Sequence, residues 1–236
     1  MDRIGDGQAN CLTNVDAVLF DWDGVLVDSS KNYFRAYELV LQEVGISTTP
    51  REIYLREGQP TAQVIAALCA DRGVPVSDEQ VNALVLRRRA HDRALGPRTF
   101  YPGVVGLLQQ LRASGRKLAM VTGSSRKSVE AVLKPHEAEY FDVIITADDA
   151  SRPKPDPEPF RKAAEMLGVE PRRCIVVENA PFGVRAALAA GCRAIAICTT
   201  LPPEDLCGAE WVVGNHEELL ALLLPGSPMR LKERAR

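Results

Sequence analysis

Short, almost unbroken apolar runs recur along the chain at Asp16–Phe20, Leu118–Val121, Val143–Thr146, Cys174–Val177, Ala194–Cys198 and Trp211–Val213, with Lys117 an alternative start for the second. Runs this short, without polar alternation, predict parallel strands buried on both faces. Between them the period lengthens to that of helices, with stops at their ends. Asp156-Pro157 supplies an N-cap followed by proline at the first helical position, and Gly168 closes that helix. The segment Val184–Ala190 is closed in the same way by Gly191. Strand and helix alternating in this manner predict an α/β fold with a doubly wound parallel-sheet (Rossmann-like) core.

One stretch breaks the alternation. From Ser29 to Phe100 the pattern is helical throughout. Tyr33, Tyr37, Val40, Leu41 and Val44 share one face, with Gly45 as the stop, and Val64, Ile65, Leu68 and Cys69 make a second stripe. Ser77 with Gln80 reads as a capping box opening a third helix through Val81, Leu84 and Val85. The run Arg87-Arg88-Arg89 in that helix reads as a solvated face, with a substrate-phosphate contact as the less favoured alternative. Residues 29–100 are therefore expected to form an inserted α-helical cap domain over the carboxyl edge of the sheet, where ligands bind in such folds. Residues 15–28 and 101–224 are expected to form the core, with 1–14 and 225–236 as loose ends.

Composition narrows the classes. The 236 residues are 46% hydrophobic, 25% charged and 6% aromatic, and 29 Lys+Arg stand against 31 Asp+Glu for a formal net charge of -2. A whole-chain basic field for nucleic acid is absent, and no apolar run reaches membrane-spanning length. The six cysteines make no C-x-x-C pair, and Cys174 and Cys198 sit in predicted strands. Reduced thiols acting as small hydrophobes, and so a cytoplasmic protein, are expected.

Four fragments carry candidate chemistry. The first strand runs into Asp21-Trp22-Asp23-Gly24, which sets two carboxylates two residues apart and follows them with a residue that permits a sharp departure. Like charges held there call for a cation or a proton, although two solvated turn aspartates fit the fragment equally well. The second strand ends in Thr122-Gly123-Ser124-Ser125, a source of oxyanion donors and equally a common N-cap. Lys154 stands among Pro153, Pro155 and Pro157, and Cys174–Val177 ends in Glu178-Asn179, hard oxygen donors of the kind Mg²⁺ takes.

In joint order and spacing these four fragments resemble the motifs of the haloacid dehalogenase (HAD) superfamily, in the helical-cap branch of β-phosphoglucomutase and phosphoglycolate phosphatase. The resemblance spans Asp16 to Val213. It implies that Asp21 is the nucleophile and Asp23 the general acid and base. It also implies that Gly24, Thr122, Gly123, Ser124 and Lys154 bind the phosphate with Asp21, and that Asp21, Asp23, Glu178 and Asn179 hold Mg²⁺. Relatives with this cap usually carry an aspartate where this chain has Asn179, which implies weaker metal binding. Asp23 argues against dehalogenation. Phosphonatase chemistry is opposed by Asp23 and by a cap whose one lysine is Lys31.

The mutase branch typically places an arginine three residues after a cap glycine; here Gly58 is followed at that distance by Thr61. A Mg²⁺-dependent phosphatase of a small phosphorylated metabolite, such as a sugar or polyol phosphate, is therefore expected. A sugar phosphomutase, or a catalytically weak relative acting as a binding partner, are the alternatives. Arg56 and Gln59 are candidate specificity residues. Neither nucleic acid nor membrane is an expected partner, and monomer or homodimer is left open.

Overall fold

The computed structural model describes Leu12 and residues 14–224. The predicted loose ends and Cys11 lie outside the described residues, apart from Leu12 and Asn14. Six strands, β1 (Ala17–Phe20), β2 (Lys117–Val121), β3 (Val143–Ile145), β4 (Cys174–Glu178), β5 (Arg193–Ile197) and β6 (Trp211–Val213), pair in parallel in the order β3-β2-β1-β4-β5-β6. Among the described residues ten α-helices accompany them: α1 (Ser30–Gln42), α2 (Pro50–Tyr54), α3 (Thr61–Asp71), α4 (Asp78–Ala94), α5 (Val104–Ala113), α6 (Arg126–Glu130), α7 (Pro135–Ala138), α8 (Glu158–Leu167), α9 (Pro181–Ala189) and α10 (His216–Leu223).

The apolar runs do what their lack of alternation implies. Val18, Phe20, Leu118, Met120, Ile175, Val177, Ile195 and Ile197 face one layer, with Leu107, Leu108 and Leu111 of α5 and Leu219 and Leu223 of α10. The intervening Ala17, Leu19, Ala119, Val121, Val176, Ala194 and Ala196 face the other, against Phe160, Ala163 and Ala164 of α8 and Ala186 and Ala187 of α9. Small residues on this second face leave room for the two helices to approach the sheet closely.

Strand ends differ from expectation by one residue in several places, the usual scatter of such boundaries. Asp16 sits before β1 because its amide donates to Arg173 O at 2.9 Å and its carboxylate pairs with the Arg173 guanidinium. β4 runs on to Glu178, and Cys198 falls just beyond β5. α8 begins at Glu158, one residue late, but the Asp156 carboxylate does accept the Glu158 amide at 2.9 Å.

Helices α1 to α4 pack around their own cluster, with Tyr37, Val40, Leu41, Val64, Ile65, Leu68, Val81 and Leu84 at its centre. The Ser77–Gln80 capping box is present. α2 was not anticipated by the periodicity because five residues hold little more than one turn, yet its Thr49-Pro50-Arg51-Glu52 start is itself a capping box with proline at N1. The chain enters and leaves this block along one narrow path, where Val27 bridges Phe100 antiparallel and Tyr101 N donates to Leu26 O at 2.9 Å. Among the described residues no helix is long and apolar enough to cross a membrane.

Candidate active site

Strands β1, β2 and β3 run outward on one side of the β1–β4 pair, and β4, β5 and β6 on the other. That reversal opens a crevice at the carboxyl ends of β1 and β4, where α/β sheets bind ligands. The local sequence then places each group. Trp22 is 1% exposed and turned into the core against Phe100. Its burial leaves Asp21 and Asp23, on either side of it, facing the crevice.

Lys154 Nζ donates to Asp21 Oδ1 at 2.6 Å, to Glu178 Oε1 at 2.7 Å and to Val121 O at 3.1 Å, which spends all three ammonium donors. Ser124 Oγ donates to Asp23 Oδ2 at 2.8 Å, and Ser124 N donates to Thr122 Oγ1 at 3.0 Å. Glu178 Oε2 accepts the amides of Asn179 and Ala180 at 3.0 and 3.2 Å.

The cap completes the enclosure. A cleft of about 460 Å³ is lined from the core by Asp21, Asp23, Thr122, Gly123, Ser124, Lys154, Glu178 and Asn179. From the cap it is lined by Tyr33, Glu57, Gln59, Thr61, Arg88 and Arg98, among others. Glu57 reaches across to accept Asn179 Nδ2 at 3.1 Å. Arg51 clamps Asp205 at 2.8 and 2.6 Å farther along the same cap–core contact.

Two carboxylates, from Asp21 and Glu178, thus flank Lys154; Glu57 and Asp23 add negative charge nearby, with Arg98 3.9 Å from Asp23. Burial raises the pKa of Asp21 above the ordinary aspartate value, and Glu178 and Asp23 add to the rise against the pull of Lys154. Burial likewise lifts Glu57 well above its usual range, helped by Asp21, Asp23 and Glu178. Burial works against the Lys154 ammonium, but Asp21 and Glu178 outweigh it and hold its pKa above that of a free lysine.

The sequence model of one family, haloacid dehalogenase-like hydrolase, matches residues 15–191. The chain belongs to the haloacid dehalogenase-like hydrolases. It is 31% identical over 209 residues to hexitol phosphatase A of Escherichia coli, covering 88% of this chain and 94% of that protein. It is 34% identical over 195 residues, 79% of its length, to the chloroplastic protein Suppressor of Quenching 1 of Arabidopsis thaliana, but corresponds to only 18% of that longer protein. A Bacteroides vulgatus structure provisionally assigned as a β-phosphoglucomutase superposes with a TM-score of 0.75 at 28% identity, covering 87% of this chain and 86% of the other.

Two of the candidate residues of this haloacid dehalogenase-like hydrolase lie off the cleft lining. Arg56 pairs with Asp71 at 2.9 Å and donates to Glu52 O at 3.0 Å, so its guanidinium ties cap elements together. Gly24, with φ +77°, lies against Asn179: a Cβ there would sit 2.3 Å from Asn179 Nδ2. Its carbonyl accepts the Thr199 hydroxyl. Gln59 does line the cleft.

Glu57 and Arg98 went unread in the sequence, and the Arg87–Arg89 run was read mainly as solvated. Arg88 carried a usable signal, because it lies seven, four and three residues after Val81, Leu84 and Val85 and so falls on their buried stripe. It is 9% exposed, which corrects the solvated-face reading for this member of the Arg87–Arg89 run. Glu57 had no such signal, since a carboxylate in a cap loop looks like any solvated turn residue until the cap is docked.

The donor set fits a hard divalent cation. Asn179 Oδ1 is buried with no hydrogen-bond partner, while its Nδ2 is spent on Glu57 and Thr200. An unspent amide oxygen amid surplus carboxylate charge is the oxygen-rich environment such ions take. Among the described residues no three acidic, histidine or cysteine side chains already converge as a cage, consistent with Asp21 and Glu178 both being turned onto Lys154.

The tight seat of Glu178 is testable. Gly183, in the first turn of α9, would place a Cβ 1.9 to 2.4 Å from the Glu178 carboxylate atoms. Gly183→Ala is expected to displace Glu178 from Lys154 and lower stability by about 1–3 kcal/mol, the usual cost of overpacking. An unchanged urea midpoint would contradict this.

Proposed function

We propose that this hydrolase is a phosphatase of small phosphorylated metabolites, working through a phosphorylated Asp21. The observation that carries the reading is the pairing of Asp21 with Lys154 at 2.6 Å on a cleft floor that also holds Asp23, Thr122 and Gly123. Lys154 engages Asp21 Oδ1, so Oδ2 is the atom offered for attack. Asp21 Oδ2 forms a bond to phosphorus as the bond from phosphorus to the leaving oxygen breaks, and Asp23 gives that oxygen its proton. A water then attacks the phosphorus, Asp23 takes the water's proton, and the bond from phosphorus to Asp21 breaks to release inorganic phosphate.

Ser124, on Asp23 at 2.8 Å, orients the acid for both transfers. Thr122, the Gly123 amide and Lys154 are suited to the equatorial oxygens, where transition-state charge spreads. Mg²⁺ would be held by Asp21, the Asp23 backbone carbonyl, Glu178 and Asn179, and would supply positive charge against the phosphate and the crowded carboxylates. Asn179 brings an oxygen without a charge, and Glu57 at 3.1 Å from its amide nitrogen puts a carboxylate beside it from the cap.

The naming of a similar protein as a hexitol phosphatase supports a sugar or polyol phosphate as the starting class. The direct test is phosphate release from a panel of phosphorylated sugars, polyols and related metabolites with Mg²⁺. Release is expected with Mg²⁺ and its loss with a chelator; no release from any member would overturn the reading.

The similarity to the structure assigned as a β-phosphoglucomutase favours a second reading, a sugar phosphomutase. Thr61, which lines the cleft where that branch usually has an arginine, weighs against it. Glucose 6-phosphate formed from β-glucose 1-phosphate with a trace of the bisphosphate, in place of free phosphate, would establish the mutase. Reduced cysteines and a cytoplasmic setting remain part of the proposal, and Cys69, Cys174, Cys192 and Cys207 are free thiols.

A further inference from the structure

The wall of the cleft opposite the catalytic floor carries Arg88, Arg89 and Arg98 beside Glu57 and Asp92, and the Arg88 donors are unspent. Arg88 of α4 is 9% exposed, and among the described residues its guanidinium makes no hydrogen bond or ion pair; Nε in particular is buried without a partner. Tyr33 and Tyr37 lie 4.7 and 4.6 Å from its guanidinium carbon. Aromatic rings favour the charge but leave the five N–H donors unused. Asp92, one turn along α4, is held by Arg98 at 2.5 Å through Oδ2 and makes no bond to Arg88. Asp92 and Asp23 favour its charge electrostatically, and Asp92 Oδ1 is itself buried without a partner, yet the Arg88 donors stay unpaired. Buried donors without acceptors are costly unless a ligand supplies them, and Arg88 lines the cleft that also holds Asp21 and Lys154.

We propose that Arg88, with Arg98 beside it, forms a second oxyanion subsite on the cap wall, so that the preferred substrate carries another phosphate or a carboxylate besides its transferred phosphoryl group. Guanidinium is suited to this because its donors match the spacing of carboxylate and phosphate oxygens. The subsite rests on the phosphatase reading for its meaning. It narrows the sugar or polyol phosphate class to acidic members, and it supplies from α4 the anion contact that Thr61 cannot.

Two matched pairs of probes test it. Glycerol 3-phosphate and 3-phosphoglycerate differ by one carboxylate; glucose 6-phosphate and glucose 1,6-bisphosphate differ by one phosphate. The wild-type enzyme is expected to favour the acidic member of at least one pair by about 10- to 100-fold in kcat/KM, the worth of hydrogen bonds to a charged group. Which pair responds identifies the oxyanion. Arg88→Met, which keeps the packing on the tyrosines, is expected to bring that ratio close to one, and Arg88→Lys to leave it intermediate. Ratios near one in the wild type, or an unchanged ratio in Arg88→Met, would overturn the proposal.

Thermal stabilisation of the wild type and Arg88→Met by the same four probes reads binding without turnover. Selective stabilisation by an acidic probe, lost in Arg88→Met, would uphold the subsite even if no probe were hydrolysed and the phosphatase reading failed. Equal stabilisation within both pairs would sink the subsite alone. Should Arg88→Met not fold, the wild-type ratios and Arg88→Lys decide the matter.

Discussion

Asp21→Asn is expected to lower phosphomonoester turnover at least about a thousandfold, the scale of loss when a covalent nucleophile is removed. The replacement keeps the shape of the side chain and removes only its charge and nucleophilicity. Asp23 is not expected to take over, because Ser124 holds its carboxylate and, in the proposed mechanism, its proton goes to the leaving group. The same variant is expected to melt no lower than the wild type. Asp21 sits among Asp23, Glu57 and Glu178, and burial already disfavours its charged form, so a neutral isostere relieves repulsion while Lys154 keeps Glu178 as a partner. Steady-state kinetics and a thermal melt on the same preparation check both halves. Activity loss accompanied by a large fall in melting temperature would point to a structural role for Asp21.

Most of the fold could be read from the chain, for a definable reason. A strand buried on both faces needs an unbroken apolar run, and Ala17–Phe20 or Ile175–Val177 have no other plausible use. Glycines after α8 and α9, and the Ser77–Gln80 box, are local chemistry that tertiary context does not overrule. The core half of the candidate site was legible because strand ends are fixed by the strands themselves: Asp21, Thr122 and Glu178 must gather once β1, β2 and β4 are neighbours. The cap half was not. Glu57 meets Asn179 across a contact between residues 122 apart, and its partner is set by how the cap docks. Arg56 was chosen for its proximity to Gly58, but the helical geometry of α2 and α3 turns it to Asp71 instead. Arg88 lies on the apolar stripe, but in a run of three arginines its charge favoured the solvated-face reading over the substrate-contact alternative, where periodicity should have decided.

Replacing Lys154 by methionine is expected to cost about 3–5 kcal/mol of stability along with nearly all activity, since removing one partner of a buried ion pair leaves the others uncompensated. The sequence marks Lys154 as a candidate phosphate-binding residue among prolines; folded, it is 6% exposed and lies 4.7 Å from the centre of the Phe160 ring. Without it, Asp21 and Glu178 remain buried with no ammonium between them. The cause can be separated from lost packing in two ways. Adding Glu178→Gln to the variant is expected to restore part of the stability, because it removes one of the two stranded charges. The pH dependence gives the second. A buried carboxyl whose folded pKa lies above its unfolded value binds its proton more readily in the folded state, so folding is favoured as pH falls between the two. Asp21 is already raised with Lys154 present, and losing the ammonium raises it further. The gap between wild type and Lys154→Met in urea should therefore be widest above that raised value and narrow as pH falls toward 3.8, the ordinary aspartate value. A gap that stayed constant with pH would assign the loss to packing alone.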